Sequence, residues 1–191
     1  MPKVILASGS AQRKALLEEA GITFDIIVSN IDETPVKAFS LPDQMNDISM
    51  RKALAVLDML EKDGDYIIVA ADQNIMFSAT MYGKPNSIEE ARQIIKSMQG
   101  SDKIYAYVGN TVLYVSNSII LDHISECDIA RLRMDYISDE DLENYLASNY
   151  PLTKCAGINI LDMPGLHLEE GKLSTARGMT VEFLIEMLSQ F

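Results

Sequence analysis

The sequence predicts an α/β fold: a central mixed, twisted sheet flanked by helices, with two lobes around a cleft. Three observations predict it. Tyr66 to Ala71 (YIIVAA) is apolar almost throughout, as a central strand covered on both faces must be. The first half of the chain alternates strand-like runs with helix-period stretches, whereas the second half is richer in hairpin signals. The chain has 191 residues, 48% of them hydrophobic, enough for one domain (1–191) with a sizeable core.

Val4-Ile5-Leu6-Ala7 reads as a buried strand, Ser8-Gly9-Ser10 as a tight polar turn, and Ala11 to Ala20 as a helix closed by Gly21. Such a strand–turn–helix start aims free backbone N–H groups and the positive end of the helix dipole at one point. Ser8, Ser10 and Arg13 sit there, which suits a phosphate; Ser10 as a plain N-cap and Arg13 as a solvated helix residue is the other reading. Thr23 to Ser29 is the second strand. It ends in the acidic run Asn30 to Pro35, a loop because Pro35 biases Thr34 away from helix. Pro42 to Lys62 is a long helix, with Met45, Ile48, Leu54, Leu57 and Leu60 at helical spacing and Arg51 and Lys52 midway.

The central strand runs directly into Asp72-Gln73. An acid at the end of a buried strand is costly unless paired, hydrated or metal-bound, and α/β ligands bind beyond strand C-termini. Asn74 to Tyr82 reads as a short extension or hairpin, and Gly83-Lys84-Pro85 as a turn. Ser87-Ile88-Glu89-Glu90 is a capping box opening a helix to about Met98. Lys103 to Ser116 alternates as one long strand or a bent pair, Asn117-Ser118 turns, and Ile119 to Leu121 begins a returning strand that Glu126 to Tyr136 continues. Ser138 opens a helix to about Ala147. Pro151 to Asp162 holds a Cys-Ala-Gly turn, and an amphipathic helix from about Met179 ends the chain at Phe191.

The formal net charge of −12 makes a poor non-specific nucleic-acid binder but permits a local cationic cluster for a small phosphorylated ligand. No run reaches the length of a membrane span, and neither a signal peptide nor a disulfide framework is read, so a cytoplasmic protein is expected. Cys127, Cys155, His123 and His167 lack metal or nucleophile spacing, and no Walker or dinucleotide motif is present. Ser8, Ser10, Arg13, Lys52 and Lys84 together supply donors and positive charge, while Asp32, Glu33 and Asp72 supply carboxylates. That set suits holding a polyphosphate and attacking it with water.

The chain resembles the Maf-like nucleotide pyrophosphatases. Ser8-Gly9-Ser10-Ala11-Gln12-Arg13 matches the family's opening S-x-S-P-x-R, with Ala11 in place of Pro. Ile31-Asp32-Glu33-Thr34, Lys52-Ala53, Ala71-Asp72-Gln73, Gly83-Lys84-Pro85 and Cys155-Ala156-Gly157 match its later motifs in order. Asp32 to Pro35, Asp72-Gln73 and Pro151-Leu152 lean toward the branch acting on 7-methyl-GTP. At Gln12, however, that branch usually has Trp and the dTTP/UTP branch has Arg. The resemblance implies a Maf/ITPase-like fold, two lobes around a deep cleft, and a possible homodimer. It implies hydrolysis of a modified or non-standard nucleoside triphosphate between the α- and β-phosphates, with 7-methyl-GTP favoured. The alternatives are a dTTP/UTP pyrophosphatase, or a nucleotide-binding regulator of cell division with little catalysis. In the implied site Asp72 accepts the water's proton. Glu33 and Asp72 hold a divalent cation, Mg²⁺ or Mn²⁺. Ser8, Ser10, Arg13, Lys52 and Lys84 hold phosphates, and Gln12, Gln73 and Asp162 set base specificity. The implied partner is the nucleoside triphosphate, without nucleic acid or membrane.

Overall fold

A computed structural model describes residues 2–148 and 150–188. Its fold is mixed α/β. Among these residues seven strands form one sheet in the order β2-β1-β3-β5-β6-β7, with β4 paired to β3 off that path. β1 (Lys3–Leu6), β2 (Asp25–Ile26) and β3 (Asp65–Phe77) are mutually parallel, whereas β4 (Thr80–Tyr82) runs antiparallel to β3. β5 (Ser101–Ser116) and β6 (Ile119–Met134) follow, and β7 (Leu166–Glu170) pairs antiparallel with β6.

The chain divides into two compact units. The first comprises Met1–Asp72, Val108–Asp128 and Gly178–Phe191; the second comprises Gln73–Tyr107 and Ile129–Arg177. Two apolar clusters make the core of the first unit. One packs Leu6, Leu17, Val69, Leu184 and their neighbours, and the other Ile5, Ala53, Val56, Ile68 and Leu113. The second unit has its own core, with Ile95, Met98, Ile104, Leu132 and Met134 fully buried.

Local caps fix the helix starts. The Ser10, Ser40, Ser87 and Ser138 side chains each accept a backbone N–H three residues on, at the heads of α1 (Ala11–Glu19), α2 (Leu41–Leu57), α3 (Ile88–Met98) and α4 (Asp139–Leu146). The predicted box at Ser87 differs in one half: Glu90 Oε2 accepts from Asn86 N and Nδ2, at 2.7 and 2.9 Å, rather than from Ser87. The short α5 (Leu173–Ala176) precedes α6 (Val181–Leu188), and the remainder of the predicted C-terminal helix lies outside the described residues.

Three elements differ from the sequence reading. β2 keeps only Asp25–Ile26, because its partner β1 ends at Leu6 and offers no further ladder. α2 stops at Leu57, where Met59 N and Leu60 N bond to Val56 O and Leu57 O and tighten the last turn. β3 continues through Asp72 to Phe77, so Asp72 lies inside the strand rather than at its end. β6 is one continuous strand. Both hairpin turns carry positive φ at two central residues, Ser78-Ala79 (48° and 61°) and Asn117-Ser118 (49° and 64°), the primed geometry that matches strand twist.

Candidate active site

The first unit gathers most of the predicted residues at the C-terminal end of β1. Parallel register pairs Leu6 with Val69, and Ala7 N donates to Val69 O at 2.8 Å. The Ser8 turn therefore leaves β1 beside the part of β3 that leads to Asp72. Ser8 Oγ accepts from Ser10 N at 3.2 Å and from Arg13 Nη1 at 3.1 Å. Arg13 Nε donates to Gly178 O at 2.9 Å, fixing the guanidinium over the turn. Ser10 caps α1 through Arg13 N at 3.5 Å, so its capping role coexists with a place at the helix start. Gln12 lies in the first turn of α1 and is partly buried.

Lys52, on α2, is 5% exposed. Its ammonium sits 2.6 Å from Asp72 Oδ1 and 3.0 Å from Glu33 Oε1. Asp72 is likewise 5% exposed. Here one buried cation faces two carboxylates, one of them buried as well. The loop carrying Glu33 is shaped from two directions. Thr34 Oγ1 and Thr34 N donate to Asp32 Oδ1 at 2.6 and 2.9 Å, and these bonds hold the Asp32 carboxyl below the usual carboxylate range. Arg51 Nη2 donates to Thr34 O at 3.1 Å and Nη1 to Asp32 O, while Nε pairs with Asp47. Sequence reasoning left Arg51 undecided. Its only local signal was Asp47 four residues earlier, and its grip on the loop is a tertiary contact.

The second unit holds the other three predicted residues. Gln73 Nε2 donates to Thr175 O and Ala176 O at 3.3 and 3.2 Å, and its own carbonyl accepts from Cys155 Sγ at 3.0 Å. Asp162 accepts from Asn159 Nδ2. Lys84 is exposed, on a loop tied down where Ala156 N donates to Gly83 O at 2.7 Å. Ala156 and Gly157 both carry positive φ, 54° and 72°, which makes the Cys-Ala-Gly turn possible. His167 pairs with Asp135 at 2.9 Å. Burial pushes the Cys127 thiol up to about 11, so it is a poor nucleophile near neutral pH.

Among the described residues no group of three or more His, Cys, Asp or Glu side chains is arranged to hold a metal. The donor chemistry nonetheless fits one. Mg²⁺ is usually held by one or two carboxylates together with substrate phosphates, and Asp72 and Glu33 are two hard oxygen donors facing one centre of charge. No helix among these residues is long and apolar enough to cross a membrane.

Comparison with known proteins agrees with this chemistry. The chain is 29% identical to a dTTP/UTP pyrophosphatase of Bdellovibrio bacteriovorus, over 100% of this chain and 99% of that protein. It is 31% identical to a dTTP/UTP pyrophosphatase of Bacillus thuringiensis subsp. konkukian, over 100% of this chain and 96% of that one. Its structure aligns with the Staphylococcus aureus Ham1 protein over 98% of each chain at 11% identity and a TM-score of 0.45, a likeness too low to carry an argument. The model of the Maf-like protein family matches residues 3–191, and the chain belongs to that family.

Proposed function

We propose that this chain is a nucleoside triphosphate pyrophosphatase that hydrolyses dTTP and UTP to the monophosphate and pyrophosphate. The observation that supports the reading is the Lys52 ammonium between Asp72 and Glu33, with Asp72 on the strand that pairs in parallel with β1, the strand leading into the Ser8–Arg13 turn. The names of the relatives support pyrimidine substrates over the 7-methyl-GTP to which the motifs at 32–35 and 72–73 lean. Gln12 is the usual residue of neither branch, and it offers no aromatic face for a cationic methylated base.

In the proposed reaction Ser8, Ser10 and Arg13 bind phosphate oxygens, aided by the N–H groups at the start of α1. Lys52 offsets negative charge near the reacting phosphorus. Asp72 takes a proton from the attacking water, the new oxygen bonds to the α-phosphorus, and the bridging oxygen leaves with pyrophosphate. A divalent cation held by Asp72 and Glu33 would supply further neutralisation of phosphate charge. Lys84 as a phosphate ligand, and Gln73 and Asp162 as base-selecting residues, rest on the family resemblance.

The test is pyrophosphate release with Mg²⁺ or Mn²⁺ from a panel containing dTTP, UTP, the common purine nucleotides and 7-methyl-GTP. Release is expected to be fastest from dTTP and UTP. Asp72→Asn is expected to abolish turnover while nucleotide binding persists. No release from any nucleotide would favour a binding protein, and near wild-type turnover by Asp72→Asn would remove Asp72 from its role.

A further inference from the structure

Arg51 has no part in the proposed reaction, yet all three nitrogens of its guanidinium are engaged around the Glu33 loop. Nε donates to Asp47 Oδ2 at 2.9 Å, one helical turn earlier on α2, which sets the direction of the fork. Nη1 then donates to Asp32 O, and Nη2 to Thr34 O at 3.1 Å. These carbonyls flank Glu33 on either side, so the guanidinium clamps the stretch of backbone that carries it. Asp32 restrains the loop from within, since its carboxylate accepts from both Thr34 N and Thr34 Oγ1. That use keeps the Asp32 carboxylate in the loop and leaves Glu33 as the acid that reaches Lys52. All of these residues belong to the first unit.

The clamp matters because Glu33 is mostly in water. Its side chain is 59% exposed, whereas the Lys52 side chain that it meets at 3.0 Å is 7% exposed. An ion pair with one member in solvent gains little, and fixing a long side chain costs rotamer entropy. The backbone must therefore deliver the carboxylate close to its place. Successive side chains on a helix point about 100° apart. Thus α2 presents Arg51 to the loop backbone, and Lys52 to the loop carboxylate and to Asp72. We infer that Arg51 is a positioning residue for the hydrolysis: it sets the Glu33 carboxylate on the Lys52–Asp72 pair, where Glu33 and Asp72 together hold the divalent cation. The inference rests on the proposed pyrophosphatase reading and deepens it. Lysine would not serve in its place, because a single ammonium lacks the rigid fork that meets two carbonyls at once.

The test is Mn²⁺ affinity in the presence of α,β-methylene-UTP, whose methylene bridge is not hydrolysed. Water-proton relaxation enhancement separates Mn²⁺ on the protein from Mn²⁺ on free nucleotide. Arg51→Met is expected to weaken Mn²⁺ about tenfold, the usual scale for losing a group that orients a metal ligand. Lost charge alone would act the other way, because removing a cation favours a bound cation. Arg51→Lys keeps the charge and drops the fork, and it should weaken Mn²⁺ about threefold. In a Glu33→Gln background Arg51→Met is expected to add less than about twofold, because the arginine acts through that carboxylate. Unchanged or tighter Mn²⁺ binding by Arg51→Met overturns the inference. Equal weakening by Arg51→Met with and without Glu33→Gln also overturns it, since a general loss of structure is additive. Absence of Mn²⁺ binding by the parent protein does so too. Failure of the hydrolysis reading looks different: non-additive Mn²⁺ losses, with no pyrophosphate release from the intact enzyme, keep Arg51 as the residue that sets Glu33 and remove the hydrolysis.

Discussion

Lys52 carries two obligations at once. Its ammonium is the counter-charge for buried Asp72 and for the more exposed Glu33, and in the proposed reaction it also faces the phosphates. Removing one partner of a buried ion pair leaves the other charge stranded, a loss of about 3–5 kcal/mol, whereas removing both is far milder. Lys52→Met is therefore expected to lower the urea unfolding midpoint strongly, and Lys52→Met with Asp72→Asn to recover most of that loss. Strictly additive losses would mean that the two groups do not compensate each other in the fold. The sequence marked both residues as functional, but not their pairing. They are 20 residues apart, on a helix and a strand, and no local spacing reports such a contact. Arg51 was obscure for the same reason, since its loop partners Asp32 and Thr34 are distant in the chain.

At the scale of elements, α2 matters because it carries both Arg51 and Lys52, and its position depends on Gly109 in β5. A β-carbon at Gly109 would lie 2.2 Å from Met45 O and 2.7 Å from Asn46 N, both backbone atoms of α2. The helix can approach the strand only because that carbon is missing. Gly109→Ala forces α2 outward, with an expected loss of about 1–3 kcal/mol as for other overpacked contacts. Pyrophosphate release should fall as Lys52 leaves Asp72, and wild-type stability together with wild-type activity would contradict this view of the contact. Gly109 gave no signal in the sequence, where it lies inside the strand-like run Lys103 to Ser116. The helix starts at Ser10, Ser87 and Ser138 were legible because each serine caps within three residues of itself. The strand ends were not. β2 stops where β1 runs out, and β3 continues past Asp72 until its antiparallel pairing with β4 ends at Phe77. Both limits are set by a neighbouring strand.

For the whole molecule, the titrating groups set a stability window with two physically different edges. Asp32, Glu90, Asp139, Glu143 and Glu170 are held below their ordinary range, each chiefly by hydrogen bonds from a neighbour. A depressed carboxyl favours the fold above its unfolded value, and that contribution is lost as pH falls below about 4. These groups are solvent-exposed, so added salt should soften the acid edge. Protonation of the 28 carboxylates would also leave 16 Lys and Arg charges uncompensated. The alkaline edge has the opposite sign. The Cys127 thiol is pushed by burial from 9.0 to about 11, and burial also raises the Tyr145 and Tyr150 phenols. A raised group favours the fold below its unfolded value, and its contribution is lost as pH climbs from 9.0 through about 11. Cys127 should be the first of the three to weaken the fold, because an unfolded thiol ionises before an unfolded phenol. Urea midpoints measured across this range are expected to stay flat between about pH 5 and 9. Salt should act on the acid side more than on the alkaline side, where the groups are mostly buried. Cys127→Ala should remove the first part of the alkaline decline and leave the later part, due to the tyrosines, in place. An unchanged decline just above pH 9.0 in that variant would show that ionisation of the buried thiol is not what weakens the fold there.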